Sequence, residues 1–98
     1  MVCIDAKALK EKILNAESFL LIDVREPWEH EAFNIGGLLI PMNSFFKNLH
    51  LIPADKPVIL YCQKGIRSGL VIQRLQQKYN YPNVINLTGG MDAWQKAL

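Results

Sequence analysis

Ninety-eight residues, half of them hydrophobic and a fifth charged, are enough for one globular domain spanning 1–98. No apolar stretch approaches the ~18 residues a membrane span needs, and Met1 to Asp5 lack the basic and apolar regions of a signal peptide, so a cytoplasmic location is expected. The net charge of +2 hides a division: residues 1–55 carry eight acids against five bases, whereas 56–91 carry five bases and no acid, which favours anions there but argues against nucleic acid, since no aromatics interleave with the bases.

In chain order, Val2-Cys3-Ile4 is a short strand candidate. Asp5 caps a helix running to about Asn15, with Ala8, Leu9, Ile13 and the stem of Lys12 on one stripe. Phe19-Leu20-Leu21-Ile22 makes a continuous apolar strand closed by Asp23-Val24-Arg25, and Pro27 opens a short helix over Trp28 to Glu31. After the break at Gly36-Gly37, Leu38-Leu39-Ile40 gives a third strand, ended by Pro41. Ser44 starts a helix from Phe45 to about His50.

Val58-Ile59-Leu60-Tyr61 is the best-defined strand. Ser68 to Tyr79 then show a helical stripe of Val71, Ile72, Leu75 and Tyr79. Val84-Ile85-Asn86-Leu87 follows Pro82 as the fifth strand, and Gly89-Gly90 leads into a last helix carrying Met91, Trp94 and Leu98. Strands without polar alternation, separated by helices, demand a parallel sheet covered on both faces. The expected class is α/β, and open sheets of this kind place ligands at the C-terminal ends of their strands.

Cys62 sits at such an end, before a tight loop and a helix. A cysteine is nucleophilic only as its thiolate, and three features favour that form. The helix beginning near Arg67 presents unpaired N–H groups and a partial positive charge. The N–H groups of residues 63 to 67 can turn inward as an anion nest. Lys64 and Arg67 add full charges, and Gly65 supplies the φ freedom the loop needs. The pattern points to an enzyme working through Cys62. Cys3 and Cys62 are too few for a disulfide scaffold, and with His30 and His50 they make no metal-ligand spacing, so neither a metal nor a cofactor is expected.

The stretch Cys62-Gln63-Lys64-Gly65-Ile66-Arg67-Ser68 resembles the active-site loop of the rhodanese (thiosulfate sulfurtransferase) family, Cys-x-x-Gly-x-Arg-Ser. Two further segments agree with that family in order: Leu21 to Glu31, with Asp23-Val24-Arg25-Glu26, and Leu87 to Trp94, with Gly89-Gly90. The family's Gly-His-Ile-Pro-Gly-Ala is replaced by Phe33-Asn34-Ile35-Gly36-Gly37-Leu38, a change at a turn and not at the nucleophile.

The resemblance implies a single rhodanese-like domain with a five-stranded, mainly parallel sheet and helices on both faces. It implies that Cys62 attacks the outer sulfur of an anionic donor such as thiosulfate and carries that sulfur as a persulfide. A thiol or a sulfur-carrier protein then accepts it. Gln63, Lys64, Gly65, Ile66, Arg67 and Ser68 form the substrate-binding loop. Arg67 and Lys64 attract the sulfonate end of the donor, although Arg67 has the alternative of pinning loop carbonyls, and Ser68 reads as the helix cap in preference to a partner of the sulfur.

Asp23 and Arg25 are structural support, with an Arg25–Glu31 pair plausible. Trp28 and Trp94 read as packing residues, and His30 and His50 as solvated groups. A monomer is the default. Two other readings stay open: a non-catalytic rhodanese-like binding module, and a phosphatase or arsenate reductase relative. The second uses five residues between cysteine and arginine, and four stand here.

Overall fold

The computed structural model describes residues 1–97. Five strands form one sheet: β1 (Val2–Ile4), β2 (Leu20–Asp23), β3 (Leu38–Leu39), β4 (Val58–Tyr61) and β5 (Val84–Leu87). They lie in the order β1-β5-β4-β2-β3, and every pairing is parallel. The expected α/β architecture is present, with no antiparallel pair among these strands.

All four residues of β4 are buried, as the uninterrupted apolar run requires of a central strand. Its side chains divide between two cores. Val58, Leu60 and Cys62 pack with Phe45, Val71, Ile72 and Leu75, beneath α3 (Ile66–Lys78) and a 3-10 helix over Met42–Leu51. Ile59 and Tyr61 pack on the opposite face with Leu9, Leu87 and Met91, beneath α1 (Ala6–Leu14) and α4 (Gly90–Lys96). The short α2 (Pro27–Ala32) buries no residue. No helix among the described residues is long and apolar enough to cross a membrane.

Local chemistry explains most boundaries. Asp5 accepts the Ala8 N–H at 2.7 Å and caps α1 as expected. The buried face of α1 is Ala6 and Leu9, while Ile13 is exposed, so the stripe is narrower than its apolar spacing suggests. The segment after Pro41 winds as 3-10 turns over Met42–Leu51, broken by a kink at Asn48, and buries Phe45 alone. On α3 the buried stripe is Val71, Ile72 and Leu75; Tyr79 has left the helix for extended backbone and is exposed. The expected place of Leu98 on the last helix lies outside the described residues.

The strand order creates the position that matters. From β4 the chain crosses to β5 on one side, and from β2 it crosses to β3 on the other. A crevice therefore opens between the C-terminal ends of β2 and β4, at the topological switch point where open α/β sheets bind ligands. Asp23, Val24 and Arg25 leave one wall of it, and Cys62 leaves the other.

Candidate active site

The loop after β4 is held by the first turn of α4. The Met91 N–H donates to the Cys62 carbonyl at 2.9 Å, and the Asp92 N–H donates to the Gln63 carbonyl at 3.0 Å. These are free donors of a helix start, used here to fasten a loop. The approach is so close that a Cβ on Gly90 would strike the Cys62 carbonyl and the Gln63 backbone, and Gly90 itself adopts φ +56. A glycine is needed on both counts.

Gly65 carries the second such requirement. It is the N-cap of α3 in the left-handed region, φ +89. This turn brings donors onto the sulfur: the Gly65 N–H at 3.1 Å and the Ser68 N–H at 3.4 Å. The nest expected from residues 63 to 67 is thus narrower, with Gly65 contributing and Ser68 supplying the second N–H. Ser68 is not the cap. It sits in the first helical turn, fully buried, with Oγ 3.3 Å from Sγ and 2.6 Å from Asn86 Oδ1. Gly65 takes the capping position because only the left-handed turn aims both N–H groups inward.

Arg67 also departs from both expected roles. It bonds neither the loop carbonyls nor open space, but forms a two-point pair with Glu29 on α2, Nη1 to Oε1 at 2.7 Å and Nη2 to Oε2 at 2.9 Å. The hydrogen bonds from Arg67 outweigh burial and hold the Glu29 carboxyl down at about 2. Lys64 is exposed and makes no ion pair among the described residues. Together Glu29, Cys62, Gln63, Lys64, Ile66 and Arg67 line a cavity of about 390 Å³. All six expected loop residues are thereby brought together with Cys62, Gly65 and Ser68 through their bonds to its sulfur.

Asp23 and Arg25 form a buried support. Asp23 is 0% exposed and Arg25 2%. Arg25 Nε and Nη2 donate to both oxygens of Asp23, at 2.9–3.1 Å. The guanidinium then donates Nη1 to Gln63 Oε1 at 3.1 Å and Nη2 to the Phe33 carbonyl at 2.6 Å. Gln63 in turn donates to Asp92 Oδ1 at 2.6 Å. A continuous polar chain thus runs from β2 through the loop to α4. The Arg25–Glu31 pair does not form, because Asp23, two residues away and buried beside it, already satisfies the guanidinium.

His30 is not a solvated group either: its Nδ1 lies 2.8 Å from Asp23 Oδ2. Burial alone would raise the Asp23 carboxyl, but the hydrogen bonds from Arg25 and His30 hold it below the usual range. Trp28 is 69% exposed and packs in no core; with Arg25, Glu29, Ala32, Phe33, Gln63, Met91 and Gln95 it borders a second cavity of about 280 Å³. Trp94 does pack, beneath Lys10 Nζ at 4.6 Å from its ring. His50 is exposed as expected. Cys3 is exposed on β1, separated from β4 by β5, about 10 Å of sheet, too far for a bridge to Cys62.

Glu29, Asn86 and Asp92 join the site without being singled out by sequence reasoning. Asn86 did leave a signal, as the lone polar side chain in an otherwise apolar strand. Among the described residues no three His, Cys, Asp or Glu side chains cluster to hold a metal.

A sequence profile for the Rhodanese-like domain matches residues 5–97. The chain belongs to the rhodanese-like family. It is 35% identical over 94 residues to a sulfurtransferase of Allochromatium vinosum, spanning 95% of this chain and 87% of that protein. A putative sulfur carrier protein of Bacillus subtilis is 32% identical over 92 residues, 93% of this chain, and the chain spans only 49% of that protein's length. Among solved structures, SSP1007 of Staphylococcus saprophyticus matches with a TM-score of 0.85 at 39% identity, over 96% of this chain and 93% of that one.

Within this rhodanese-like fold, the altered segment Phe33 to Leu38 is rebuilt with other pins. Asn34 donates to the His30 carbonyl at 2.8 Å and accepts the Gly36 N–H at 2.8 Å. The Tyr61 hydroxyl donates to the Gly36 carbonyl at 3.1 Å and accepts the Ile35 N–H at 3.3 Å. Burial and the nearby Asp23 charge push Tyr61 up to about 12, so it stays a hydroxyl across the working pH range. Asn34 stands where the resembling turn has its histidine and Gly36 where it has its proline, with the Tyr61 hydroxyl pinning the turn from β4.

Proposed function

We propose that the chain is a sulfurtransferase that carries a sulfane sulfur on Cys62. The observation that carries this reading is the Cys62 sulfur in the wall of an open cavity, approached by two N–H donors and rimmed by Lys64, which has no ion-pair partner among the described residues. Donors preorganised on a sulfur favour its anionic states, as they favour oxyanions elsewhere.

In the first half-reaction the Cys62 thiolate attacks the outer sulfur of a small anionic donor such as thiosulfate. The Sγ–S bond forms, the donor's S–S bond breaks, and its electron pair leaves on sulfite. The product is a Cys62 persulfide. In the second, a thiol or a sulfur-carrier protein attacks the outer sulfur as its thiolate, and Sγ departs with the bonding pair, restoring the starting state. No electrons are gained or lost overall, so no cofactor is called for.

The site divides the labour between two cavities that share Glu29 and Gln63. Lys64 draws the donor's sulfonate to the first. Arg67 is occupied by Glu29 and serves to tie α2 to the first turn of α3. The second cavity, with exposed Trp28 and Phe33, offers the acceptor an apolar shelf next to the first. The four-residue spacing between Cys62 and Arg67 disfavours a loop wrapped around phosphate or arsenate, because the short loop aims its N–H groups at the one sulfur atom.

Incubation with thiosulfate should add one sulfur atom to the protein, detected by intact mass, and cyanide or a thiol should remove it. The Cys62→Ser variant should gain none. An unmodified mass after exposure to thiosulfate and other sulfane donors would favour a binding module instead.

A further inference from the structure

The hydrogen bonds around Ser68 have only one consistent direction. The Gly65 carbonyl oxygen can only accept, so the Asn86 amide nitrogen must face it, at 3.2 Å. The amide oxygen then faces Ser68 Oγ at 2.6 Å, and since it has no proton, Ser68 supplies the one between them. A hydroxyl has one proton. Ser68 therefore turns lone pairs toward Cys62 Sγ, 3.3 Å away.

That arrangement suits a thiol, whose S–H donates to Oγ. It does not suit a thiolate, because two sets of lone pairs would oppose each other. The conflict is relieved if the O–H rotates from Asn86 to the sulfur, the proton staying on Oγ throughout. Asn86 is buried within β5, so its amide oxygen is then left without a partner at a cost in free energy.

We infer that Asn86 is a positioning residue for Cys62, acting through the Ser68 hydroxyl as a donor with two alternative partners. While charge rests on Sγ the hydroxyl serves the sulfur; when the charge moves to an outer sulfur the hydroxyl returns to Asn86. Asn86 thus opposes an idle charged Cys62 and favours the step that takes charge off Sγ. This rests on Cys62 being the reacting thiol, yet its test reads the hydroxyl and not sulfur transfer, so the two can fail separately.

The charged groups of the site, Glu29 on α2, Lys64 and Arg67 on the loop and α3, Asp23 at the end of β2, Arg25 after it, and Asp92 on α4, are unchanged by Asn86→Leu and Ser68→Ala. At one fixed pH, the ultraviolet absorbance of the thiolate reports the thiolate-to-thiol ratio. Asn86→Leu removes the competing acceptor and should raise that ratio about tenfold, the size of one hydrogen bond to a charged group. Asn86→Asp, a stronger acceptor that also adds a charge, should lower it, and the share that acts through the hydroxyl is the share lost when Ser68 is also alanine.

In a Ser68→Ala background the Asn86→Leu effect should vanish. Shifts of the same sign in both Asn86 variants, or an Asn86→Leu effect that persists without the hydroxyl, would overturn the inference in favour of a purely structural role through Gly65. The unmutated protein gives a second readout that does not depend on the variants folding. Its Asn86 side-chain carbonyl resonance should move between the thiol and thiolate states, and a constant resonance sinks the idea.

Discussion

At the scale of single residues, the site separates cations that are spent from one that is free. Arg25 is enclosed by Asp23, Gln63 and the Phe33 carbonyl, and Arg67 is locked to Glu29. Lys64 alone of the three projects from the rim without a partner among the described residues. Lys64→Ala should therefore raise KM for an anionic donor several-fold with little change in kcat, and the difference should shrink as salt screens the charge. Steady-state kinetics at low and high ionic strength checks this. The buried pair behaves differently: Asp23→Ala leaves the Arg25 guanidinium buried without its countercharge. Loss of about 3–5 kcal/mol is expected, read as a lower denaturant midpoint.

At the scale of elements, the loop is shaped from outside as much as from within. Gly90→Ala places a methyl group against the Cys62 carbonyl at a backbone conformation that side chains rarely adopt. The loop must shift, and sulfur transfer should fall at least tenfold, with about 1–3 kcal/mol lost from strain, measured by turnover and thermal melting. The Gly89-Gly90 pair was legible as a motif, whereas its reason, the backbone of a distant loop lying against it, was not. The strands β4 and β5 were legible to the residue, since each is an apolar run stopped by turn-forming neighbours. Glu29 was not, because its partner Arg67 stands 38 positions away and a cross-chain ion pair leaves no periodicity. Ser68 differs from its sequence reading for a related reason: a serine before a helical stripe reads as a cap, and only the left-handed Gly65 in three dimensions reassigns it.

At the scale of the whole molecule, two carboxyls near the C-terminal edge of the sheet couple stability to acid. Both Asp23 and Glu29 are held below their ordinary values in the folded state, Glu29 down at about 2. Their stabilisation is complete above the ordinary carboxylate value and fades as pH falls through the folded one. Melting temperature should thus decline between about pH 5 and pH 2, and Glu29→Gln should flatten part of that decline. An equal slope in variant and parent would deny Glu29 its share. The fastening of Cys62 and Gln63 by Met91 and Asp92 has a temporal consequence as well. During synthesis Cys62 is translated almost thirty residues before its clasp, so its loop cannot take the folded shape until α4 has been made and has docked. The geometry around its sulfur arrives late, together with the finished sheet.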